Sequence, residues 1–511
     1  MTNILEYLEQ TAERLPDKVC YTDGKTSMTF SEVHRAARGI GTCISRMGYY
    51  RKPVAVFMKK GPYEVTAFLG AAYAGCYYVP FDAEMPLFRI ELIFRTLGDC
   101  AVICDGSALP LLEKVGREKD AVLCSEAAET VPDDALLSGI RARHIDTDPL
   151  YVLFTSGSTG VPKGVVACHR SVINYIDRLS DVLKVSEDTV FGNQTPLYTD
   201  ACMKELFPTL KCGATAVFIP KMLFSFPVRL IGFLNENRIN TICWVASALS
   251  IVSSVGTFDT IRPEFLRTVG ISSEVFPVKQ YHIWQKVLPD AKFINLYGPT
   301  ECTGASCWYI VDREFRDDEV LPIGKPFQNT EAMLLSEDGK EVPQGEIGEI
   351  CLRGTCVTFG YYSNPERTSA AFVQNPLNSV YPEIIYRTGD LGRLNERGEL
   401  VFVSRKDFQI KHMGYRIELG EIEAAASTYD GVSLCCCLYD TQKKKIILFV
   451  TGTVDRNELL KYLKSRLPRY MIPGEIMLLA AMPLTLNGKL DRKLLLSVIE
   501  GKADIAGING Q

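Results

Sequence analysis

The sequence predicts an α/β protein. A large N-terminal domain of doubly wound sheets carries a small β-barrel, and a compact α+β C-terminal domain follows. Three observations support this. Helical and strand-like segments alternate as far as about residue 330, the pattern of parallel sheets covered by helices. From about 335 to 403 the chain turns to short strands broken by glycine, as in Glu346-Ile347-Gly348-Glu349-Ile350 and Gly398-Glu399-Leu400-Val401-Phe402. The charged run Arg405-Lys406-Asp407 then opens a last section of mixed helix and strand. With 511 residues the chain is too long for one core, and the cut falls between 1–404 and 405–511.

Taken in order, Met28-Thr29-Phe30 ends a strand and feeds a helix with Ser31 as its expected N-cap. Val54–Phe57 and Cys100–Cys104 are continuous apolar runs suited to buried parallel strands. The spacing predicts helices over Gly61–Ala74 and Leu87–Leu97. The stretch Val65–Phe81 is nearly uncharged, but it contains Gly70, Gly75 and Pro80 and is short for a membrane span, so it reads as a buried helix entering a buried strand. Further strands are expected at Thr189–Phe191, Ala214–Ile219 and Thr241–Val245. In the last section Glu418–Thr428 and Asp455–Leu467 read as helices, the second with an Asp455/Glu458 capping box. Val432–Tyr439 and Lys445–Val450 read as strands.

Composition excludes several classes of function. The chain is 47% apolar and 23% charged with a net charge of -5, which gives no footprint for nucleic acid or an anionic membrane. The first residues lack the basic and apolar regions of a secretory leader, so a cytoplasmic location is expected. The 17 cysteines are scattered without a C-x-x-C pair and read as reduced core residues; the five histidines form no ligand cluster.

Chemistry concentrates in a few stretches. Thr155-Ser156-Gly157-Ser158-Thr159-Gly160 with Lys163 follows the apolar run Tyr151–Phe154. Glycines can turn backbone N–H groups onto an anion, hydroxyls add donors and the lysine adds a charge. That composition makes a polyphosphate cradle, although the spacing is not that of a P-loop and a plain surface linker stays open as the alternative. Asn295-Leu296-Tyr297-Gly298-Pro299-Thr300-Glu301 joins an aromatic plane, a turn, a hydroxyl and a carboxylate that can hold Mg²⁺ beside phosphate oxygens; a hairpin turn would use the same residues. Tyr386-Arg387-Thr388-Gly389-Asp390 sets a carboxylate at a glycine turn, where it can accept from ribose hydroxyls or close an Asx turn. Arg405 can reach the same ribose or pair at the surface, and Asn487-Gly488-Lys489 presents a lysine on a tight turn.

Together, in this order and over nearly the whole chain, these stretches resemble the adenylate-forming superfamily of acyl-CoA synthetases, peptide-synthetase adenylation domains and luciferases. Gly345–Glu349, the run Asp407–Glu423 and the closing Asn487-Gly488-Lys489 belong to the same resemblance. It implies ATP and Mg²⁺ as cofactors and a two-step reaction: a carboxylate attacks the α-phosphate of ATP, and a thiol then displaces AMP. The resemblance assigns the loop of Thr155, Ser156, Gly157, Ser158, Thr159, Gly160 and Lys163 to the β- and γ-phosphates. It assigns Thr300 and Glu301 to the α-phosphate and metal, and Asn295, Tyr297, Gly298 and Phe402 to the nucleoside. Asp390 and Arg405 take the ribose, and Lys489 bridges the substrate carboxylate and α-phosphate as the catalytic lysine. The C-terminal domain is implied to be mobile, swinging about a hinge at Lys406 or Asp407, with Gly414 lining the thiol tunnel. Ser404 departs from the glycine usual before the arginine, and Phe402 from a frequent tyrosine.

The stretch Tyr198–Phe207 matches the segment lining the acyl pocket, and Asp200 falls where amino-acid-activating members pair an aspartate with the substrate ammonium; a helix N-cap is the plainer alternative. Carried over residue by residue, the pocket is Asp200, Ala201, Lys204, Trp244, Val269, Ile271, Leu296, Gly304 and Ala305. Lys204 suits an acidic or polar substrate if it points inward, and outward snorkelling is equally open. No carrier segment follows Gln511, so the resemblance points to a stand-alone enzyme of the D-alanine–carrier-protein ligase or free-standing adenylation-domain kind. Its expected partners are an amino acid and a separate phosphopantetheinylated carrier protein, with an acyl- or aryl-CoA ligase as the rival.

Overall fold

The computed structural model describes residues 1–157, 160–406, 409–484 and 490–502. Five sheets organise them. The largest has nine strands. In its middle, Thr241–Val245, Thr268–Ser272 and Lys292–Tyr297 lie side by side and parallel, with antiparallel strands at both margins. A six-stranded sheet contains Pro53–Phe57, Tyr77–Phe81 and Ala101–Cys104, again parallel. The region expected as a small barrel is a five-stranded antiparallel sheet, in which the long strand Ile384–Leu394 pairs with three others. A two-stranded and a three-stranded sheet complete the set.

The apolar patterning explains the elements. Pro53–Phe57 and Tyr77–Phe81 are buried at every position, as strands covered on both faces must be. Helices pack onto the sheets through two large clusters. One includes Tyr175, Cys202, Leu206, Cys243, Leu296 and Ala305, and the other includes Trp244, Val269, Ile271, Phe276 and Trp284. The run Val65–Phe81 forms the helix Pro62–Tyr73 and the strand Tyr77–Phe81, as expected. Among the described residues no helix is long and apolar enough to cross a membrane.

Two caps differ from expectation. The helix Phe30–Arg46 is capped by Thr29 rather than Ser31. Thr29 Oγ1 accepts from the Glu32 N–H while Glu32 accepts from the Thr29 N–H, a reciprocal box that places Ser31 inside the first turn. Asp455 does cap Arg456–Arg466, but Glu458 turns to Lys461 instead of closing the box.

The chain divides into two compact units. The first comprises Met1–Ala83, Leu97–Phe154 and Gly164–Lys406; the second comprises Glu84–Thr96, Thr155–Lys163 and Asp407–Gln511. The second therefore gathers a helix and the Gly/Ser loop from earlier in the chain around the three-stranded sheet Val432–Asp440, Lys445–Gly452 and Glu475–Leu479.

Trp284 is fully buried, stacks edge-on against Phe258, and donates its indole N–H to the Leu249 carbonyl at 3.1 Å. Trp284→Ala opens a large cavity and removes one of the two side-chain donors to that carbonyl, so denaturant unfolding of the first unit should lose about 3–5 kcal/mol. A loss below about 1 kcal/mol would mean that this layer does not hold the sheet.

Candidate functional site

In the first unit three predicted residues meet, although 108 positions separate the outermost. Tyr297 ends a parallel strand, and its hydroxyl donates to Asp390 Oδ2 at 2.6 Å. Arg405 lies directly across the antiparallel ladder from Asp390 and donates to Oδ1 at 2.5 Å. Asp390 is 2% exposed, so the ion pair is largely dry. The neighbouring turn is held as firmly. Thr388 Oγ1 donates to the Ile350 carbonyl, and Glu349 accepts from both Arg387 and the Gly389 N–H. Gly389 has φ 72°, the left-handed backbone that turns Asp390 inward at little steric cost. Burial, with the Asp390 carboxylate beside it, pushes the Tyr297 phenol well up, so it stays a donor.

Around this triad, Phe402 packs half-buried in the same apolar cluster as Tyr297. Asn295 is committed to the Pro322 carbonyl at 2.8 Å. Gly298 cannot take a side chain, since a Cβ there would lie 2.3 Å from the Gly304 carbonyl oxygen. Thr300 and Glu301 open a short 3-10 turn, with Glu301 fully buried and accepting from the Tyr361 hydroxyl at 2.7 Å. A nucleotide-borne Mg²⁺ takes one or two protein carboxylates and fills its sphere with phosphate and water, which suits a single oriented glutamate. Among the described residues, no three His, Cys, Asp or Glu side chains gather into a cage of their own.

The predicted acyl pocket is divided. Asp200 and Ala201 begin the 3-10 turn that runs into the helix Met203–Cys212, with Asp200 half-buried and Ala201 buried. Lys204 is buried with its Nζ 3.0 Å from Ser272 Oγ, so it points inward. Leu296 and Ala305 belong to the core cluster of this helix's residues Met203 and Leu206. The ring of Tyr175 lies 3.0 Å from where a Cβ on Gly304 would stand. Trp244, Val269 and Ile271 pack in the other cluster. Ladder partners share a face: Ile271 pairs with Trp244, whereas Leu296 pairs with Ser272 and Cys243 with Gly270. The Lys204 side is therefore lined by Cys243 and Ser272, neither of which the sequence motifs single out. No period along one strand points to Ser272; its ladder pairing with Leu296 is what places it there.

Glu205, fully buried on the same helix, binds the Asn193 amide, while its second oxygen has no partner. Burial pushes its carboxyl up to about 7 from an ordinary 4.5, against the pull of Asn193, Lys204 and Lys60. The folded state thus holds a proton that the unfolded chain has released. The stability this gives is complete below pH 4.5 and is lost as pH rises to about 7. Glu205→Gln should flatten the fall in unfolding free energy across that window, a term of about 3 kcal/mol in wild type. An unchanged slope in pH-dependent denaturation would contradict the assignment.

In the second unit the Gly/Ser loop engages carboxylates. The Gly157 N–H donates to Glu421 Oε2 at 2.9 Å, and Lys163 pairs with Glu418 at 3.5 Å. Ser156 Oγ donates to the Arg416 carbonyl and accepts from the Glu418 N–H. Arg89 clamps the other oxygen of Glu421 at 2.6 Å, both side chains being 4% exposed. Burial still pushes the Glu421 carboxyl up. The loop's backbone and lysine thus take negatively charged oxygens. Gly160 has φ 78°, and Gly414 with Met413 forms the left-handed pair of a two-residue hairpin between Gln409–His412 and Tyr415–Glu418. Lys406 pairs with Glu337 at 3.2 Å at the end of the first unit. Ser158, Thr159, Asp407 and Lys489, all singled out in the sequence, lie outside the described residues.

The first unit thus holds a buried Tyr–Asp–Arg triad and the second a glycine loop that takes carboxylate oxygens, and the class of protein follows from similarity to known families. Residues 8–362 match the AMP-binding enzyme family and residues 421–489 the AMP-binding enzyme C-terminal domain. The chain belongs to this family of adenylate-forming, ATP-using enzymes. Zwittermicin A synthase ZmaJ of Bacillus cereus is 29% identical over 97% of this chain and 94% of its own length. A linear gramicidin synthase of Brevibacillus parabrevis is 32% identical over 97% of this chain, which spans only 6% of that protein. The chain likewise spans only 36% of the delta-poly-L-ornithine synthetase of Acinetobacter baumannii, to which it is 28% identical. Among solved structures, the Vibrio cholerae adenylation domain AlmE, in complex with glycyl-adenosine-5'-phosphate, superposes with a TM-score of 0.82 at 18% identity, covering 98% of both chains. The o-succinylbenzoate CoA synthetase of Bacillus subtilis superposes equally well, at 0.82 and 20% identity over 97% of this chain and 98% of its own.

Arg405→Met leaves Asp390 as a buried carboxylate without its cation. It should cost about 3–5 kcal/mol in denaturant unfolding, as breaking a buried pair does. A cost under about 1 kcal/mol would deny the pair its structural role.

Proposed function

We propose that this enzyme activates an α-amino acid with ATP and passes it to the phosphopantetheine thiol of a separate carrier protein. In the first step an oxygen of the amino acid carboxylate attacks the α-phosphorus, the bond to the bridging β-phosphate oxygen breaks, and pyrophosphate leaves. In the second the thiol sulfur attacks the acyl carbon, its proton is lost, and AMP departs with the carbonyl–oxygen bond. Tyr297, Asp390 and Arg405 bind the nucleoside, and the loop of Ser156, Gly157 and Lys163 binds the departing phosphates. Thr300 and Glu301 orient the α-phosphate, and Mg²⁺, when bound with the nucleotide, neutralises phosphate charge. Lys489 offsets the charge that builds in the transition state.

The observation that carries the amino acid reading is Asp200. Its carboxylate opens the helix of the acyl side and acts on the buried phenols of Tyr151 and Tyr175, whose pKa values burial first and Asp200 among other charges push well up. An α-ammonium complements that carboxylate. A fatty or aryl acid brings no cation to it. The thiol donor is taken to be a carrier protein, because two solved proteins of this fold join an adenylation domain to a PCP domain.

ATP–pyrophosphate exchange should therefore depend on an α-amino acid. Exchange driven only by acids without an amino group would sink the reading in favour of an acyl- or aryl-CoA ligase. Lys489→Ala should slow adenylation by about a hundredfold or more while ATP binding, measured by calorimetry, stays within a few-fold. Near-normal exchange in that variant would remove Lys489 from the chemistry.

A further inference from the structure

The geometry points to Lys204 as a specificity-determining residue, and to an α-amino acid with a side-chain carboxylate as the substrate. The inference rests on the amino acid reading above and adds the class of side chain.

Lys204 is 4% exposed, and among the described residues its hydrogen-bond partner is Ser272 Oγ alone, at 3.0 Å. That hydroxyl donates onward to the Trp244 carbonyl at 3.3 Å, so its oxygen is the acceptor for the ammonium. An ammonium carries three donors, and a neutral hydroxyl answers one of them. Buried charge is retained where it meets an opposite charge. The adjacent carboxyl answers it only in part. Glu205 feels the charge of both Lys204 and Lys60 but hydrogen-bonds Asn193, and burial pushes its carboxyl up. Lys60, which donates to the Asn193 and Gln194 carbonyls, is a second cation close to Glu205.

Asp200 opens the 3-10 turn and Lys204 is the second residue of the helix into which it runs, four residues on. One end of that short segment suits an α-ammonium and the other a carboxylate. Leu296 and Ala305, with Tyr175 against Gly304, leave the remaining lining apolar and tight. A short α-amino dicarboxylic acid matches both charges; a neutral side chain leaves the ammonium with one neutral partner.

The test is exchange on the intact enzyme with aspartate, glutamate and α-aminoadipate against asparagine, glutamine, alanine and leucine. One dicarboxylic amino acid should exceed its neutral analogues about a hundredfold in kcat/KM, the discrimination expected when a buried charge loses its partner. In Lys204→Gln the loss for that acid should fall mainly on KM, and the preference should shift toward the amide. Wild-type preference for a neutral amino acid, with the acids inactive, overturns this inference and leaves amino acid activation standing. Exchange with succinate or glutarate but no amino acid overturns the amino acid reading and leaves the role of Lys204. Exchange with none of these acids overturns both. The wild-type panel decides the matter even if Lys204→Gln does not fold.

Discussion

Pairing of a buried carboxylate holds the first unit together at its chemically active edge. Asp390 cannot stay ionised at 2% exposure without partners, and it takes one from each of two sheets. Arg405 reaches it across the antiparallel ladder, and Tyr297 reaches it from the end of a parallel strand in the nine-stranded sheet. The geometry of the Asp390–Arg405 pair is thus set by backbone pairing rather than by loop conformation. A site built on strands is stiff, and stiffness keeps a nucleoside's hydroxyls in one register. Glu349 extends the same logic by taking both Arg387 and the Gly389 N–H, so the turn that aims Asp390 is itself tied down.

The second unit applies the opposite economy. The Gly157 N–H, Ser156 and Lys163 are donors on a short loop, and carboxylates and backbone groups of the same unit occupy them. A loop that binds carboxylate oxygens through a backbone N–H and a lysine has the chemistry for phosphate oxygens, because both are hard anionic acceptors. Its glycines matter at two points. Gly157 brings the N–H within 2.9 Å of Glu421, and Gly160 takes a φ of 78°.

Much of this is legible in the sequence, and the rest has physical reasons for being hidden. The helix Leu87–Leu97 and the strand Thr241–Val245 fall where periodicity places them, because both are dictated by local burial. The cap on Phe30–Arg46 lies two residues before the expected one, since Ser31 is as good an N-cap as Thr29 until the reciprocal bond of Glu32 chooses between them. The meeting of Tyr297, Asp390 and Arg405 has no local signature; family resemblance groups them as nucleotide contacts, but ladder pairing joins Asp390 to Arg405 and Tyr297 reaches them from another sheet. The acyl lining shows the limit most clearly. Carrying the pocket over from the resemblance selects Trp244, Val269 and Ile271, but a strand shows alternate residues to opposite faces, and the ladder gives Ser272 rather than Ile271 to the face of Leu296.

That division changes what selectivity can rest on. An apolar lining of Leu296 and Ala305 distinguishes side chains by size, and one methylene in such a pocket is worth roughly 10- to 200-fold at most. A buried charge left unmatched discriminates by about a hundredfold or more, because the wrong substrate leaves it unsatisfied in a place water does not reach. On the reading proposed above, the buried ammonium of Lys204 sorts side chains by charge, where the methyl groups around it sort them by size alone. That filter is also the more demanding one: among the described residues the inward lysine hydrogen-bonds only a neutral hydroxyl, so on this reading a substrate carboxylate completes it.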